Sequence, residues 1–438
     1  MAGSLPRPRH PLAWVPTAYL AEGIPFAMVI WVAGTLFKDL GHSDGHITVA
    51  LASIGLAWSL KPFWAAFLDM FRSKRFFVLT MELTMAALLG MFALALPLPN
   101  YFQIVIAILW VLAFASATQD ICVDGIYITS LDSTNQAKYI GVQGMAWNAG
   151  RIFATAGVVW VAGTLQAEAS YAPTTAWAVA VGLSGATMAA LALYHFFMLP
   201  PGSKPTGAQS SSQVVSTFMD TVRDFLRKDQ IWGMLAFVFL YRSAEGLLLV
   251  EAPLFVQAPL DEGGLGLTLV QKGLIDGTIG TAVSIVGGLL GGVFVSRHGL
   301  RRTLFFLALC LNVPTLSYVY LSWAVSPEAP LSMTTIALLV SIEKFGYSFG
   351  FVANMLYMMQ QISPGRYHMT HYAFCTALMN LVLVPTQMAS GPLADWLGYR
   401  AYFVFVVVAT IPSLVAAKLA PFPRAEAFGP TSEPRPSS

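Results

Sequence analysis

Apolar residues run along this chain in stretches of twenty or more, and the short polar breaks between them hold most of its charge. A bilayer core about 30 Å thick is crossed by about 20 residues of helix. Runs of that kind fall near 14–37, 47–68, 76–97, 102–128, 139–165, 174–199, 231–257, 271–296, 303–325, 332–359, 369–391 and 400–420. They predict twelve transmembrane helices, here called spans 1 to 12, in an all-α membrane protein of two six-helix bundles. The first run is too long for a signal-peptide core and has no convincing cleavage site, so it reads as an uncleaved first span.

Composition agrees with that pattern. The 438 residues are 56% hydrophobic and only 11% charged, against about 25% charged in an ordinary globular domain, and the mean hydropathy is +0.65. Those values exclude a cytosolic enzyme, a nucleic-acid binder and a secreted disulfide scaffold. The three cysteines, Cys122, Cys310 and Cys375, sit inside apolar runs with no disulfide or zinc spacing. No cofactor is implied.

Orientation comes from the basic residues. With the N-terminus inside, seventeen of the 24 lysines and arginines fall in cytoplasmic segments and three (Lys38, Lys272, Arg400) outside. The positive-inside rule then places both termini in the cytoplasm. The remaining four, Lys61, Arg151, Arg242 and Lys344, lie within spans.

The longest break, 200–230, divides the spans six and six. The organisation expected is an N-terminal bundle over 1–199, a cytoplasmic linker over 200–230, a C-terminal bundle over 231–420 and a cytoplasmic tail over 421–438. The linker begins flexible, PPGSKPTGAQSSSQ, and then places Val215, Phe218, Val222, Phe225 and Leu226 at helical spacing. That amphipathic pattern predicts a short helix lying on the membrane surface. The halves echo each other. AAFLDMFRSKR (65–75) follows span 2, and GGVFVSRHGLRR (291–302) follows span 8 in matching register. An offset of about half the chain indicates two six-helix repeats. Asp69, Lys74 and Arg75 in one copy, and Arg297, Arg301 and Arg302 in the other, are candidates for a cytoplasmic gate.

A charge near the bilayer centre costs at least about 2.5–3.5 kcal/mol, so each one needs a reason. Glu22 lies in span 1, Lys61 in span 2, Asp120 and Asp124 in span 4, and Arg151 in span 5. Arg242, Glu245 and Glu251 lie in span 7, Asp276 in span 8, and Glu343 and Lys344 in span 10. At 1.5 Å per residue, Arg242, Lys344 and Arg151 stand about 16–18 Å along their spans, near the midplane where repeat-built transporters place substrate. Arg151, Arg242, Lys344, Glu343 and Lys61 are therefore candidate substrate-binding residues. Asp120, Asp124, Glu22 and Glu245 are candidate proton-coupling groups. Asp120 and Asp124, four apart, share a helix face, where two carboxylates raise the pKa of one of them. The alternative is a gate lock in which these acids pair with loop cations such as Arg72 or Arg366. Glu22–Gly–Ile–Pro25 predicts a break near the middle of span 1. His368 and His371 have a spacing able to hold a metal, but no carboxylate or thiol completes a site, so they read as interfacial and no metal is assigned.

Several segments carry a resemblance. The loop after span 2 and its repeat resemble the loop 2–3 signature of the major facilitator superfamily, although the first copy has Ala65 and Arg72 where the signature has glycine. AEGIPFAMVIWV in span 1, SLKPFWAAFLD (59–69), ATQDICVDGI (117–126), LYRSAEGLL (240–248) and SGPLADWLGYRAYF (390–403) resemble the AmpG-type muropeptide permeases. These form part of the peptide/acetyl-coenzyme A transporter group of that superfamily. The resemblance implies that spans 3, 6, 9 and 12 face lipid, that Asp120 and Asp124 match the family's span 4 acids, and that Arg242 and Glu245 match its basic-then-acidic pair. It further implies a monomeric, proton-driven secondary transporter of the bacterial inner membrane, importing an anionic glycopeptide for cell-wall recycling. Its partners would be that small-molecule substrate, protons and membrane lipid, and no nucleic acid. Relatives of the same fold carry a siderophore or acetyl-coenzyme A, which stands as the alternative cargo.

Overall fold

A computed structural model describes residues 10–61, 63–64, 68, 73–131, 133–202, 211–365 and 368–423. Among these the chain is helical almost throughout. Span 1 is Pro11–Asp39, span 3 Lys74–Ala95, span 4 Tyr101–Ser130 and span 6 Pro173–Met198. Span 2 begins with Asp44–Ala52 and continues through Leu56–Ser59, and span 5 runs over 133–167 with a wide turn at Phe153–Val158. Spans 8, 9 and 10 are Leu269–His298, Leu300–Ala324 and Met333–Ile362. Spans 11 and 12 occupy 368–397 and 399–419. The twelve expected spans are thus present, six in each half of the sequence, with described ends within about six residues of those the apolar runs predict, and the region where span 2 is expected to end lies largely outside the described residues.

Helix is the form these runs take because it satisfies every backbone N–H and C=O within the segment, which a lipid environment demands. Their starts are written locally: Ser43, Ser73, Thr268 and Ser332 each accept a hydrogen bond from a first-turn amide. Two connections shrink to one residue. Gly299 (φ 80°) joins spans 8 and 9, and Gly398 (φ 71°) joins spans 11 and 12. A side chain at such a left-handed position is strained, so glycine makes these reversals possible.

The sequence misjudges two elements. Pro25 does not break span 1, which stays helical through it and relaxes in a π turn at Met28–Val32. Proline takes a single amide out of the ladder, and the helix is kept on either side of it. Span 7 does break, into Ile231–Tyr241 and Glu245–Gln257, although no proline or glycine stands at the interruption.

The chain divides into two compact units. The first holds residues 1–42, 54–211 and 268–277, and the second holds 43–53, 212–267 and 278–438. Its core in the first unit joins Trp14, Tyr19, Val78, Cys122, Ile126 and Tyr139 from spans 1, 3, 4 and 5. In the second, Phe237, Tyr241, Leu307, Tyr357 and Met379 pack together from spans 7, 9, 10 and 11. Leu94, Trp232, Trp396 and Leu419 are each at least 70% exposed, as befits helices whose outer face meets lipid. The linker helix, Ser211–Leu226, does not keep its apolar face for a membrane surface. Phe225 is buried against His371 and Phe374 of span 11, and Phe218 packs on Phe374. Lys228, just beyond, donates to the carbonyls of Ile362, Ser363 and Pro364 and so caps the end of span 10.

Candidate functional site

In the first unit, spans 1 and 5 touch backbone to backbone. A Cβ on Gly23 would stand 2.3 Å from the Trp147 carbonyl oxygen, and one on Gly150 would stand 2.4 Å from that of Leu20. Small residues at such a crossing allow the close approach that membrane helices use in place of hydrophobic association. The contact sets Tyr19 and Glu22 beside Gln143, Gly144, Trp147 and Asn148, around a hollow of about 230 Å³.

Four of the expected ionisable residues gather behind it. Tyr19 donates to Asp124 Oδ1 at 2.7 Å, and Lys61 pairs with Asp120. Glu22 and Asp124 lie within electrostatic reach of Lys61 and of each other. The two span 4 acids therefore do not face one another alone, since each has its own partner from a different span. Glu22 is 9% exposed, and its Oε2 has no hydrogen-bond partner. Arg151 lies with its guanidinium 5.0 Å over the Trp31 ring.

The second unit holds the other cluster, and the break in span 7 makes it. Tyr241 ends one half-helix, Arg242 follows at its C-cap, and Glu245 opens the next. A cation at a helix C-terminus and an anion at an N-terminus both complement the helix dipole. Arg242 donates from Nε to Glu245 Oε2 at 2.5 Å and from Nη2 to Oε1. Its Nη1 reaches Asn380 Oδ1 at 3.5 Å, and the guanidinium lies 4.9 Å over Phe351. Tyr347 donates to Glu245 Oε1 at 2.6 Å. Gly246 admits span 11, for a Cβ there would lie 1.8 Å from Thr386 Oγ1. Glu343 and Lys344 pair with each other at 3.3 Å, and Glu343 lies within electrostatic reach of Tyr347. Arg242 and Glu245 thus neutralise one another, as do Glu343 and Lys344.

The gate candidates scatter. Lys74 is buried against Gly125 of span 4, and Arg75 donates to the Phe196 carbonyl at the end of span 6. Arg297, Arg301 and Arg302 are exposed at the turn between spans 8 and 9, with Arg301 over Phe422 at 5.8 Å. Asp69, Arg72 and Arg366 lie outside the described residues. His371 is fully buried rather than interfacial, with Nε2 3.2 Å from the Thr221 carbonyl and 3.6 Å from Asp224 Oδ2. Among the described residues no cluster of histidine, cysteine, aspartate and glutamate could hold a metal ion.

Three groups lie outside the expected site residues. Tyr19 and Tyr347 are phenols, though Tyr19 stands three residues before Glu22 and so shares its face. Glu82 of span 3 is fully buried with His195 of span 6, whose Nδ1 lies 2.8 Å from Oε1. Asp395 accepts from the Gly45 amide at 2.8 Å, at the start of span 2. The spacing Asp395–x–x–Gly398–x–Arg400 repeats Ser296–x–x–Gly299–x–Arg301, and that repetition was the available signal.

Residues 17–370 match the Major Facilitator Superfamily. The chain is 22% identical over 408 residues to the anhydromuropeptide permease of Escherichia coli K12, covering 90% of this chain and 76% of that protein. It is 21% identical to a protein named AmpG 4 in Rickettsia conorii, over 90% of this chain and 92% of the relative. Among solved structures it superimposes on an inward-facing bacterial homologue of the human lysosomal transporter Spinster with a TM-score of 0.71. The identity there is 14%, and 93% of this chain and 96% of that one are covered. A D-xylose–proton symporter gives 0.70 at 13% identity, over 94% and 98%. At those identities the structural likeness speaks for the fold.

Proposed function

Because the chain belongs to the Major Facilitator Superfamily it is a multi-pass membrane transporter and not an enzyme, and we propose that it imports anhydro-muropeptides together with protons by alternating access. The names of its relatives support the cargo. The import direction and the inner-membrane setting rest on the same likeness to those relatives, and the placing of both termini in the cytoplasm rests on the distribution of lysine and arginine.

The observation that carries the coupling is the Arg242–Glu245 pair at the break in span 7. A guanidinium offers five N–H donors in a planar fork that matches a carboxylate. With Glu245 ionised, that fork is spent on Glu245. A proton on Glu245 removes its charge and frees Arg242 for a carboxylate of the cargo's peptide. Loading a proton and loading an anionic cargo then favour each other, which is the linkage a symporter needs. Tyr347 and Asn380 hold the two side chains in register, and Glu343 and Lys344 extend the polar surface. In the first unit, Glu22, Asp120 and Asp124, tied to Lys61 and Tyr19, form the second group able to exchange a proton. Lys74, Arg75, Arg297, Arg301 and Arg302, with Asp69, are assigned to the cytoplasmic gate.

Proteoliposomes test the reading. The wild type accumulates labelled anhydro-muropeptide under a pH gradient, and a protonophore abolishes the accumulation. Glu245→Gln retains exchange of cargo for cargo but loses gradient-driven accumulation by about tenfold or more. Full accumulation by that variant removes Glu245 from the coupling, and indifference to the protonophore removes the proton.

A further inference from the structure

The hollow between spans 1 and 5 has a chemistry of its own, distinct from that of Arg242. At about 230 Å³ it falls below the roughly 300–1,000 Å³ of sites for drug-sized ligands, so it takes one ring of a cargo and not a whole glycopeptide. Its apolar wall is aromatic. Trp147, half-buried, lines it directly, and Phe26 supports Trp147 at 5.5 Å between ring centroids. Trp58 and Trp31 pack on Phe26 in turn, at 4.8 and 5.6 Å, each edge to face. That backing fixes the Trp147 ring as a rigid plane. Trp31 has its own ring covered by Arg151.

The polar lining offers acceptors beside the amide of Gln143, which both donates and accepts. Tyr19 spends its proton on Asp124, which leaves its oxygen to accept. Asn148 donates one Nδ2–H to the Gly144 carbonyl at 2.9 Å, which leaves Oδ1 to accept and a second N–H to donate. Glu22 contributes a carboxylate oxygen that is nine-tenths buried and without a hydrogen-bond partner. A buried acceptor of that kind is destabilising until something donates to it. None of the six lining residues is a cation. The ligand that answers this lining has a flat apolar C–H face for Trp147 and several O–H or N–H donors for the rim, and it carries no negative charge.

We propose that this hollow is a sugar subsite, which receives one uncharged pyranose ring of an amino sugar, stacked on Trp147 with a hydroxyl or amide donating to Glu22. The proposal rests on the glycopeptide reading above.

Titration calorimetry on the purified full chain tests it with N,N′-diacetylchitobiose, a neutral amino-sugar disaccharide without a peptide. The wild type binds it saturably. Trp147→Ala weakens binding about tenfold or more, Trp147→Phe keeps most of it, and glucuronic acid, with its carboxylate, binds at least about tenfold more weakly than N-acetylglucosamine. Melting temperatures of both variants report folding, and the phenylalanine variant separates loss of stacking from loss of structure. Absence of chitobiose binding to the wild type, equal binding by Trp147→Ala, or equal binding of glucuronic acid overturns the subsite. Uptake assays keep the two readings apart. Trp147-dependent chitobiose binding without muropeptide uptake overturns the cargo and retains the subsite. Muropeptide uptake indifferent to Trp147→Ala does the reverse.

Discussion

Glu82 and His195 show what a polar side chain has to do to survive inside a helical bundle. Both are fully buried. His195 Nδ1 lies 2.8 and 2.9 Å from the two Glu82 oxygens, Nε2 lies 3.0 Å from Thr17 Oγ1, and Gln119 Nε2 approaches Glu82 at 3.4 Å. Four spans are stitched together by one network, in which both carboxylate-facing donors are placed while Gln119 Oε1 is left without a hydrogen-bond partner. Glu82→Leu, which strands the imidazole, is expected to cost about 3 kcal/mol, and Glu82→Leu with His195→Leu to recover much of that, since removing both partners leaves no orphan. Unfolding in detergent, followed by denaturant or heat, measures both. At this scale the sequence was partly legible. Intramembrane acids and bases stand out because water is the only cheap place for them. Their neutral partners, Tyr19, Tyr347, Thr17 and Asn380, look like any other residue of an amphipathic wall, and which acid meets which base depends on packing between spans. Thus Asp120 and Asp124, a pair by spacing, turn out to serve Lys61 and Tyr19.

Elements were the most legible level, because a run of about twenty apolar residues has few alternatives in a bilayer. The errors fall where local chemistry and tertiary contact disagree. Pro25 is a helix breaker by rule, yet the π turn after it and the contact with span 5 keep span 1 continuous. Arg242–Ser243–Ala244–Glu245 holds no breaker, yet span 7 parts there. Its freed backbone ends are complemented by charges of the right sign, and its Gly246 is pressed on span 11. An amphipathic pattern by itself cannot say whether the apolar face of the linker helix meets lipid or protein. The contact of spans 1 and 5 gives the sharpest test at this level. Gly23→Ala sets a methyl 2.3 Å from the Trp147 carbonyl and is expected to cost about 1–3 kcal/mol through overpacking while abolishing chitobiose binding. Gly90→Ala, where nothing lies within 4 Å, is expected to leave both unchanged. Melting curves beside calorimetry on the two variants decide it.

The molecule as a whole does not divide where its sequence halves do. Residues 43–53, from the first half, pack in the second unit, where Tyr399 donates to Asp44, Asp395 accepts from Gly45, and the Gly391 amide donates to Thr48 Oγ1. Residues 268–277, from the second half, pack in the first unit, where a Cβ on Gly277 would meet Thr155 and Ala156 at 2.8 Å. Repeat spacing and loop charge carry no record of this exchange, since neither depends on which span ends touch. The proposed transport cycle has to run with these segments held by the unit they pack in. It also has to do so within an electric field, and there the Arg242–Glu245 pair acquires a further meaning. Moving one elementary charge through the membrane potential is worth about 2.3 kcal/mol per 100 mV, whereas a closed ion pair moves as a small dipole. The unloaded carrier is therefore expected to return at a rate indifferent to voltage. Glu245→Gln, by leaving Arg242 uncompensated, is expected to make that return voltage-dependent. Charge displacement recorded on a supported membrane without cargo distinguishes the two proteins. In these terms the proposed pair is electrical ballast, which keeps voltage from pulling on the empty carrier.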